Sequence, residues 1–132
     1  MRTPVLVEEI MKKNVTTIDP RASLKEALQL MKAKGIHCLI VEKTYESDAY
    51  GIITNTQILR KIMAEDGEVE LLNVYDVYKK PAFSISAKID VKHAARMMLS
   101  NGVKRVAVTD NNELKGVLSV TDLTDYLLSL VD

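Results

Sequence analysis

GVLSVTD, residues 116–122, joins a short apolar run to two hydroxyl side chains and a carboxylate. A stretch with the spacing of an apolar helix, LTDYLLSLVD (123–132), follows directly. The pattern predicts a buried strand that passes into a helix. Ser119, Thr121 and Asp122 stand where they either cap that helix or hold a ligand at its N-terminus.

A second copy of this stretch, GIITNTQIL, begins at Gly51. The preceding sequence also repeats, because residues 10–43 align with residues 77–110 at an offset of 67 residues. Self-similarity at a fixed spacing indicates a duplicated unit. We therefore place repeat 1 in residues 1–65 and repeat 2 in residues 66–132, with a short connector and a helical turn where they meet.

Each repeat predicts the same order of elements: strand, helix, strand, strand, helix. Ser23 and Glu26 form a capping-box pattern where the first helix of repeat 1 begins, and Gly35 marks its end. Asp90 and Gly102 mark the same two ends in repeat 2. The apolar positions of these two helices are Leu24, Ala27, Leu28 and Met31, and Val91, Ala94, Ala95 and Met98.

The strands after these helices are nearly continuous apolar runs, as in strands covered on both faces. They read HCLIVE with AYGIIT in repeat 1, and RVAVTD with LKGVLS in repeat 2. The last helix of each repeat carries a further apolar set. These sets are Ile58, Leu59, Ile62 and Met63, and Leu123, Leu127, Leu128 and Val131.

The charges of the 132-residue chain balance, with 18 basic and 18 acidic side chains. A neutral chain has no global basic field, which weighs against nucleic acid as a partner. No apolar run approaches the length of a membrane span, and the N-terminus has acidic residues inside its apolar stretch, unlike a secretory signal. With a single cysteine, Cys38, we expect a cytoplasmic protein with no membrane partner.

The sequence has no cluster of residues typical of enzyme chemistry. Its two histidines, His37 and His93, are far apart, and C-x-x-C, H-E-x-x-H and P-loop patterns are absent. The acidic stretch AEDGEVE is typical of a solvated connector. We therefore predict no catalytic residue, no metal site and no required cofactor.

The repeated pattern resembles the CBS (cystathionine β-synthase) domain family. The resemblance rests on the order of elements, on GIHCLIV and GVKRVAV at the middle strands, and on G-h-h-[ST]-x-x-[DNQ]-h-h (h, apolar), and it covers residues 5–130. Two copies resemble a CBS pair, or Bateman module, here as a stand-alone protein. The resemblance implies an α/β (α+β) fold of two β-α-β-β-α repeats about a pseudo-two-fold axis, and a homodimer.

The resemblance also implies that clefts between the repeats bind AMP, ADP, ATP or another adenosine-containing ligand. In members that bind nucleotides, the positions of Ser119, Thr121 and Arg105 contact phosphate, and that of Asp122 contacts the ribose. The chemistry of the residues agrees, because hydroxyls and a helix N-terminus suit phosphate and a carboxylate accepts from ribose hydroxyls. The pair Lys104-Arg105 suits a phosphate better than a sulfonium, so AMP or ADP is the first choice.

Lys104 itself stays open between a strand-edge role and phosphate neutralisation. His37, at the matching position of repeat 1, either contacts a ligand or starts a strand without a role. By the resemblance, the cleft of repeat 2 draws on the first short strand of one repeat, where Thr17 is a candidate for contact with the base or sugar. Because Gln57 replaces the aspartate in repeat 1, and a neutral acceptor is roughly half as strong as a charged one, we expect a weaker or empty second cleft. Its candidate residues are Thr54, Thr56 and Gln57.

The sequence therefore predicts a regulatory or sensor module that binds an adenine nucleotide and signals to an unknown effector protein. One alternative is a ligand-free module for protein–protein interaction or dimerisation. A further alternative is a binder of S-adenosylmethionine, NAD or nucleic acid.

Overall fold

Two three-stranded sheets form the framework of the chain, which is described over residues 3–131 in a computed structural model. In chain order the elements are α1 (Val7–Ile10), β1 (Thr17–Ile18), α2 (Leu24–Lys34), β2 (Cys38–Val41), β3 (Gly51–Thr54), α3 (Asn55–Leu59), β4 (Ser84–Ser86), α4 (Val91–Ser100), β5 (Arg105–Asp110), β6 (Glu113–Ser119) and α5 (Val120–Ser129). A π-helical turn (Arg60–Ala64) and a 3₁₀ turn (Val74–Asp76) lie between α3 and β4. The predicted order of elements is confirmed in both repeats.

The chain divides into two compact units whose bounds differ from those of the sequence repeats. The central unit is Thr16–Ala82, and the terminal unit combines the residues up to Val15 with those from Phe83 onwards. The segment that opens each repeat thus belongs to the unit built from the other repeat. The boundary between residues 65 and 66 is a prediction about the sequence duplication, and it stays one.

The central unit is a mixed sheet with the order β1-β2-β3, in which β1 runs parallel to β2 and β2 antiparallel to β3. Its core joins the strands to α2 through Leu24, Ala27 and Met31, as the spacing predicted. Ser23 accepts the Glu26 N–H at 3.0 Å where the helix begins. Gly35 ends the helix with a left-handed φ of 65°, which glycine adopts without strain.

The terminal unit repeats this plan with the order β4-β5-β6. Strand β4 is parallel to β5, and β5 is antiparallel to β6. Asp90 accepts the Lys92 N–H at 2.8 Å and so caps α4, as predicted. The side chains that fill the core of this unit include Val7, Met98, Val106, Val108 and Leu118. Each unit therefore has its own apolar core.

The last helices place much of their apolar surface outside these cores. Ile58 is buried, but Leu59 and Met63 are 58% and 73% exposed. On α5, Leu127 and Leu128 are 63% and 62% exposed. The periodicity identified one apolar face on each helix, but only part of that face is covered within its unit.

The opening segments add short antiparallel pairings to the two sheets. In the terminal unit the Lys12 N–H donates to the Val117 carbonyl at 2.9 Å, and the Val117 N–H donates back at 3.0 Å. In the central unit Lys79 and Ile52 exchange two hydrogen bonds of 2.9 Å. Lys12 and Lys79 are aligned in the two sequence repeats, so the same pairing occurs twice.

The glycine of the repeated motif makes each pairing possible. A Cβ on Gly116 would lie 2.6 Å from the Lys12 carbonyl oxygen, closer than van der Waals contact allows. A Cβ on Gly51 would meet the Tyr78 ring and, at 3.1 Å, the Lys79 carbonyl oxygen. At both positions the missing side chain lets a neighbouring backbone approach the sheet.

Candidate functional site

Ser119 and Asp122 close the N-terminus of α5 with two reciprocal hydrogen bonds. The Asp122 N–H donates to Ser119 Oγ at 3.0 Å, and the Ser119 N–H donates to Asp122 Oδ2 at 2.9 Å. The helix cap that the sequence allowed is therefore present. It engages one carboxylate oxygen of Asp122 and directs the other, Oδ1, to further partners.

The basic candidates of repeat 2 lie at the same end of the sheet as this cap. Arg105 is the register partner of Ser119 across β5 and β6. The Val120 N–H donates to the Lys104 carbonyl at 2.9 Å. Arg105 is half-buried, whereas Lys104 and Thr121 are exposed. The fold thus gathers all five candidates of repeat 2 around the start of α5.

Lys12 is a basic residue of this region that the sequence analysis missed. Its Nζ lies 3.6 Å from Asp122 Oδ1, and the two side chains are 72% and 5% exposed. Lys12 is 110 positions from Asp122 in the chain and belongs to the other sequence repeat. The only signal was the repetition of Lys12-Lys13 as Lys79-Lys80, which does not reveal the exchange of opening segments.

The candidates of repeat 1 form a related cap at the start of α3. The Gln57 N–H donates to Thr54 Oγ1 at 3.2 Å, and the Thr54 N–H donates to Gln57 Oε1 at 2.9 Å. The His37 carbonyl accepts the Asn55 N–H at 2.9 Å. Asn55 Oδ1 in turn accepts the Thr56 N–H at 2.9 Å. The geometry resembles that around Asp122, with an amide in place of the carboxylate.

Thr17, which was predicted for the same cleft as Asp122, lies at the end of the central sheet away from the start of α3. It is paired with Ile40, and its hydroxyl donates to Glu42 Oε1 at 3.0 Å, beyond the end of β2. His37 and Thr54 lie at the start of β2, where Cys38 pairs with Thr54. The central unit therefore does not bring Thr17 together with His37. Its contact with a base or sugar stays a prediction.

Asp48, the second buried carboxylate, has a different environment. Its Oδ2 accepts from Lys80 Nζ at 2.7 Å, the Thr44 N–H at 3.0 Å and the Thr44 hydroxyl at 2.9 Å. Its Oδ1 accepts the Ala49 N–H at 2.9 Å. The Lys80 hydrogen bond, followed by those from the backbone, holds the pKa of Asp48 well below its usual range. Asp48 therefore fastens a loop, and its oxygens are engaged within the protein.

In the part of the chain that the structure describes, no group of three or more His, Cys, Asp or Glu side chains is placed so that it could hold a metal ion. His93 is exposed on α4. Among the helices of residues 3–131, none has both the length and the apolar character needed to cross a bilayer.

The chain is similar over nearly its whole length to proteins known from other organisms. It is 22% identical over 132 residues to the uncharacterized protein MK0525 of Methanopyrus kandleri. The matched region covers 97% of this chain and 67% of that protein. It spans 42% and 45% of the length of two further curated relatives. Much of those relatives therefore lies outside the region that this chain matches.

Solved structures share its fold. The hexameric CBS-CP12 protein from bloom-forming cyanobacteria is 33% identical, with a TM-score of 0.89 over 93% of this chain and 72% of that one. The CBS domain pair of MJ0100, in complex with 5′-methylthioadenosine and S-adenosyl-L-methionine, is 20% identical, with a TM-score of 0.85 over 98% of this chain and 100% of that one. At that identity the second likeness concerns the fold alone.

The sequence model of the CBS domain matches this chain twice, over residues 7–64 and residues 74–129. The two matches carry the two capped helices and the two three-stranded sheets described above. The chain therefore belongs to the CBS domain family, as a tandem pair of CBS domains.

Proposed function

We propose that the terminal unit binds an adenine nucleotide, AMP or ADP in the first place, and that the chain acts as a regulatory sensor of that ligand. The observation that carries the proposal is the environment of Asp122. One oxygen of this buried carboxylate, Oδ2, accepts the Ser119 N–H of the cap. The other, Oδ1, forms an ion pair with the exposed side chain of Lys12. An acceptor so placed suits the two hydroxyls of a ribose.

The groups around Asp122 suit the phosphate of the same ligand. Helix α5 has 10 residues, and its N-terminus carries the positive end of the helix dipole. Thr121, an exposed residue, and Arg105, a half-buried one, stand at the same end of the sheet. Arginine grips two phosphate oxygens at once. Ser119 Oγ accepts from the cap and keeps its own hydrogen available for donation.

The matching place in repeat 1 is the weaker site in this proposal. Gln57 offers a neutral acceptor in place of a carboxylate. The Thr56 N–H, which a phosphate would need, already donates to Asn55 Oδ1. One occupied site per chain is the expected stoichiometry.

S-adenosylmethionine is the main competing ligand, because the CBS domain pair of MJ0100 was solved in complex with it. Lys104 and Arg105 favour an anionic phosphate over a cationic sulfonium at the start of α5. A ligand alters the surface offered to an effector only if it binds one arrangement of the protein better than another. The sensor proposal therefore includes such a difference in affinity.

A homodimer is part of the proposal, and the exposed apolar surface of the helices supports it. An apolar groove of about 370 Å³ runs between α4 and α5, and its lining includes Leu99, Leu123, Leu127 and Leu130. A related groove beside α2 and α3 includes Leu28, Leu59 and Met63. Contiguous apolar surface of this kind is typical of interaction sites. The same surface is what the alternative of a ligand-free interaction module would use.

Calorimetric titration and thermal unfolding with AMP, ADP, ATP, NAD and S-adenosylmethionine test the proposal. We expect AMP or ADP to bind the native chain and raise its melting temperature by mass action. Asp122→Asn retains an acceptor for the cap, as Gln57 does in repeat 1, and is expected to lose most of the affinity. Asp125→Asn, on the exposed face of the same helix, is the matched control and should bind normally.

Failure of the native chain to bind any of the five ligands would overturn the proposal. It would reduce Ser119 and Asp122 to a helix cap and favour the interaction module. Equal loss in Asp122→Asn and Asp125→Asn would place the ligand elsewhere on the protein.

A further inference from the structure

The backbone of Lys12 is fixed to the sheet of the terminal unit, and this places its side chain near Asp122. Two hydrogen bonds with Val117, of 2.9 and 3.0 Å, hold its peptide groups in an antiparallel pairing. Gly116 leaves the space for this close approach. The ammonium is thus delivered to Asp122 from a defined position, although its side chain is 72% exposed.

The charge of Lys12 answers an electrostatic problem in the proposed site. The carboxylate of Asp122 lies in the first turn of α5, where a bound phosphate would also lie, and like charges repel strongly where water is scarce. Lys12 Nζ is 3.6 Å from Asp122 Oδ1, so it offsets that negative charge. An ammonium has three donors, and it can therefore serve the carboxylate and a phosphate together.

The same charge acts in the opposite sense on a ligand that carries a sulfonium. A cation placed near the start of α5 would be repelled by Lys12 and attracted by Asp122, so the two effects oppose each other. An uncharged nucleoside would meet neither effect at that point. Lys12 therefore discriminates between adenosine ligands by the charge attached to the ribose.

On these grounds we infer that Lys12 is the specificity-determining residue that makes the terminal-unit site prefer phosphate-bearing over sulfonium-bearing or uncharged adenosine ligands. The inference rests on the proposed function. It adds to it a residue from the opening segment of repeat 1.

The test compares dissociation constants of AMP, adenosine and S-adenosylmethionine for the native chain, Lys12→Met, Lys12→Arg and Lys13→Met. We expect Lys12→Met to raise the dissociation constant of AMP about tenfold, as for the loss of a charge-assisted hydrogen bond. Adenosine should change less than about twofold, and S-adenosylmethionine should bind equally or more tightly. Lys12→Arg keeps the positive charge and should bind AMP with close to the native affinity. Lys13→Met removes a neighbouring exposed charge and should match the native chain.

The ratio of AMP to adenosine affinity is the decisive quantity, because a loss of folded protein affects both ligands equally. An unchanged ratio in Lys12→Met would overturn the inference and leave the proposed function standing. Equal weakening by Lys13→Met would also overturn it, since the effect would then be one of general charge. If the native chain binds none of the three ligands, the proposed function fails and this inference fails with it.

Discussion

Lys80 donates to Asp48 Oδ2 at 2.7 Å and ties the segment before β4 to the loop between β2 and β3 within the central unit. The Asp48 side chain is 5% exposed, and that of Lys80 is 31% exposed. Ile52, one position past the start of β3, pairs with Lys79, so backbone and side chain fasten the same segment. The Lys-Lys pair occurs once in each repeat and has a different role in each. In the pair Lys79-Lys80, Lys80 anchors a loop. In the pair Lys12-Lys13, Lys12 faces Asp122.

The Asp48 ion pair predicts that the protein loses stability in acid. Because the pKa of Asp48 is lower in the folded chain than its ordinary value of about 4, its contribution is complete above that value and disappears as the pH falls towards the folded pKa. The melting temperature of Asp48→Asn should lie several degrees below that of the native chain at pH 7. The difference should narrow below about pH 4.

Asp19 acts in the same direction and must be separated from Asp48. The side-chain hydrogen bond from Arg21 lowers the pKa of Asp19 to about 2, so its contribution is lost between its unfolded pKa and that value. The drop in melting temperature caused by Asp48→Asn should be the same at each pH whether it is measured in the native chain or in a chain that also carries Asp19→Asn. A difference that stays constant from pH 7 to pH 3 would contradict the role given to Asp48.

Ser119→Ala and Thr121→Ala should separate stability from ligand binding. Ser119 Oγ accepts the Asp122 N–H, and loss of such a cap costs about 1 kcal/mol. Thr121 is exposed, so its truncation should leave the free energy of unfolding within about 0.5 kcal/mol of the native value. Urea unfolding measures both changes.

Titration of the same variants with AMP completes that comparison. The Thr121→Ala variant should bind AMP with lower affinity and be as stable as the native chain. If Thr121→Ala binds AMP normally, its hydroxyl is not a phosphate contact.

Gly116→Ala should detach the opening segment from the terminal unit. The added methyl group would lie 2.6 Å from the Lys12 carbonyl oxygen, and relief of such a clash costs about 1–3 kcal/mol. Hydrogen exchange should then accelerate at the Lys12 and Val117 amides. The Lys79 amide, which makes the equivalent bond in the central unit, is the internal reference. Equal acceleration at Lys79 would indicate global destabilisation instead.

Charged substitutions in the α4–α5 groove test the proposed homodimer. Leu99 and Leu127 are 69% and 63% exposed, so Leu99→Glu and Leu127→Glu should leave the fold intact and convert the dimer to a monomer in sedimentation velocity. Arg96→Glu, on an exposed position of α4, is the control for added negative charge. Dimers that persist in both leucine variants would remove this groove from the interface.

The elements of this fold could be predicted because their signals are local. The caps at Ser23 and Asp90 and the apolar spacing of α2 and α4 each lie within one helix. Strand bounds are less exact: the apolar pair Val15 and Ile18 predicts a first strand that begins at residue 15, whereas β1 is only Thr17–Ile18. A two-residue strand takes its place from the pairing with β2, which periodicity does not report.

The neighbours of Asp122 could be predicted only in part for a similar reason. Arg105 and Ser119 belong to consecutive strands of one repeat, so their proximity follows from the hairpin. Lys12 approaches through a pairing between backbones that leaves no side-chain pattern, and the space that Gly116 provides for it is evident only in the structure. The apolar spacing of α5 likewise shows one face of the helix and does not show what covers it.

The exchange of opening segments also bears on how such a chain could arise. A single copy of the repeat would contain a sheet whose edge position is completed by a segment of another copy, since residues up to Val15 belong with those from Phe83 onwards. Two copies of a one-repeat ancestor would therefore complete each other by segment swapping. Fusion of two genes would have made that mutual dependence permanent, and a fragment ending near residue 65 would hold the central sheet without the Lys79 segment that pairs with Ile52.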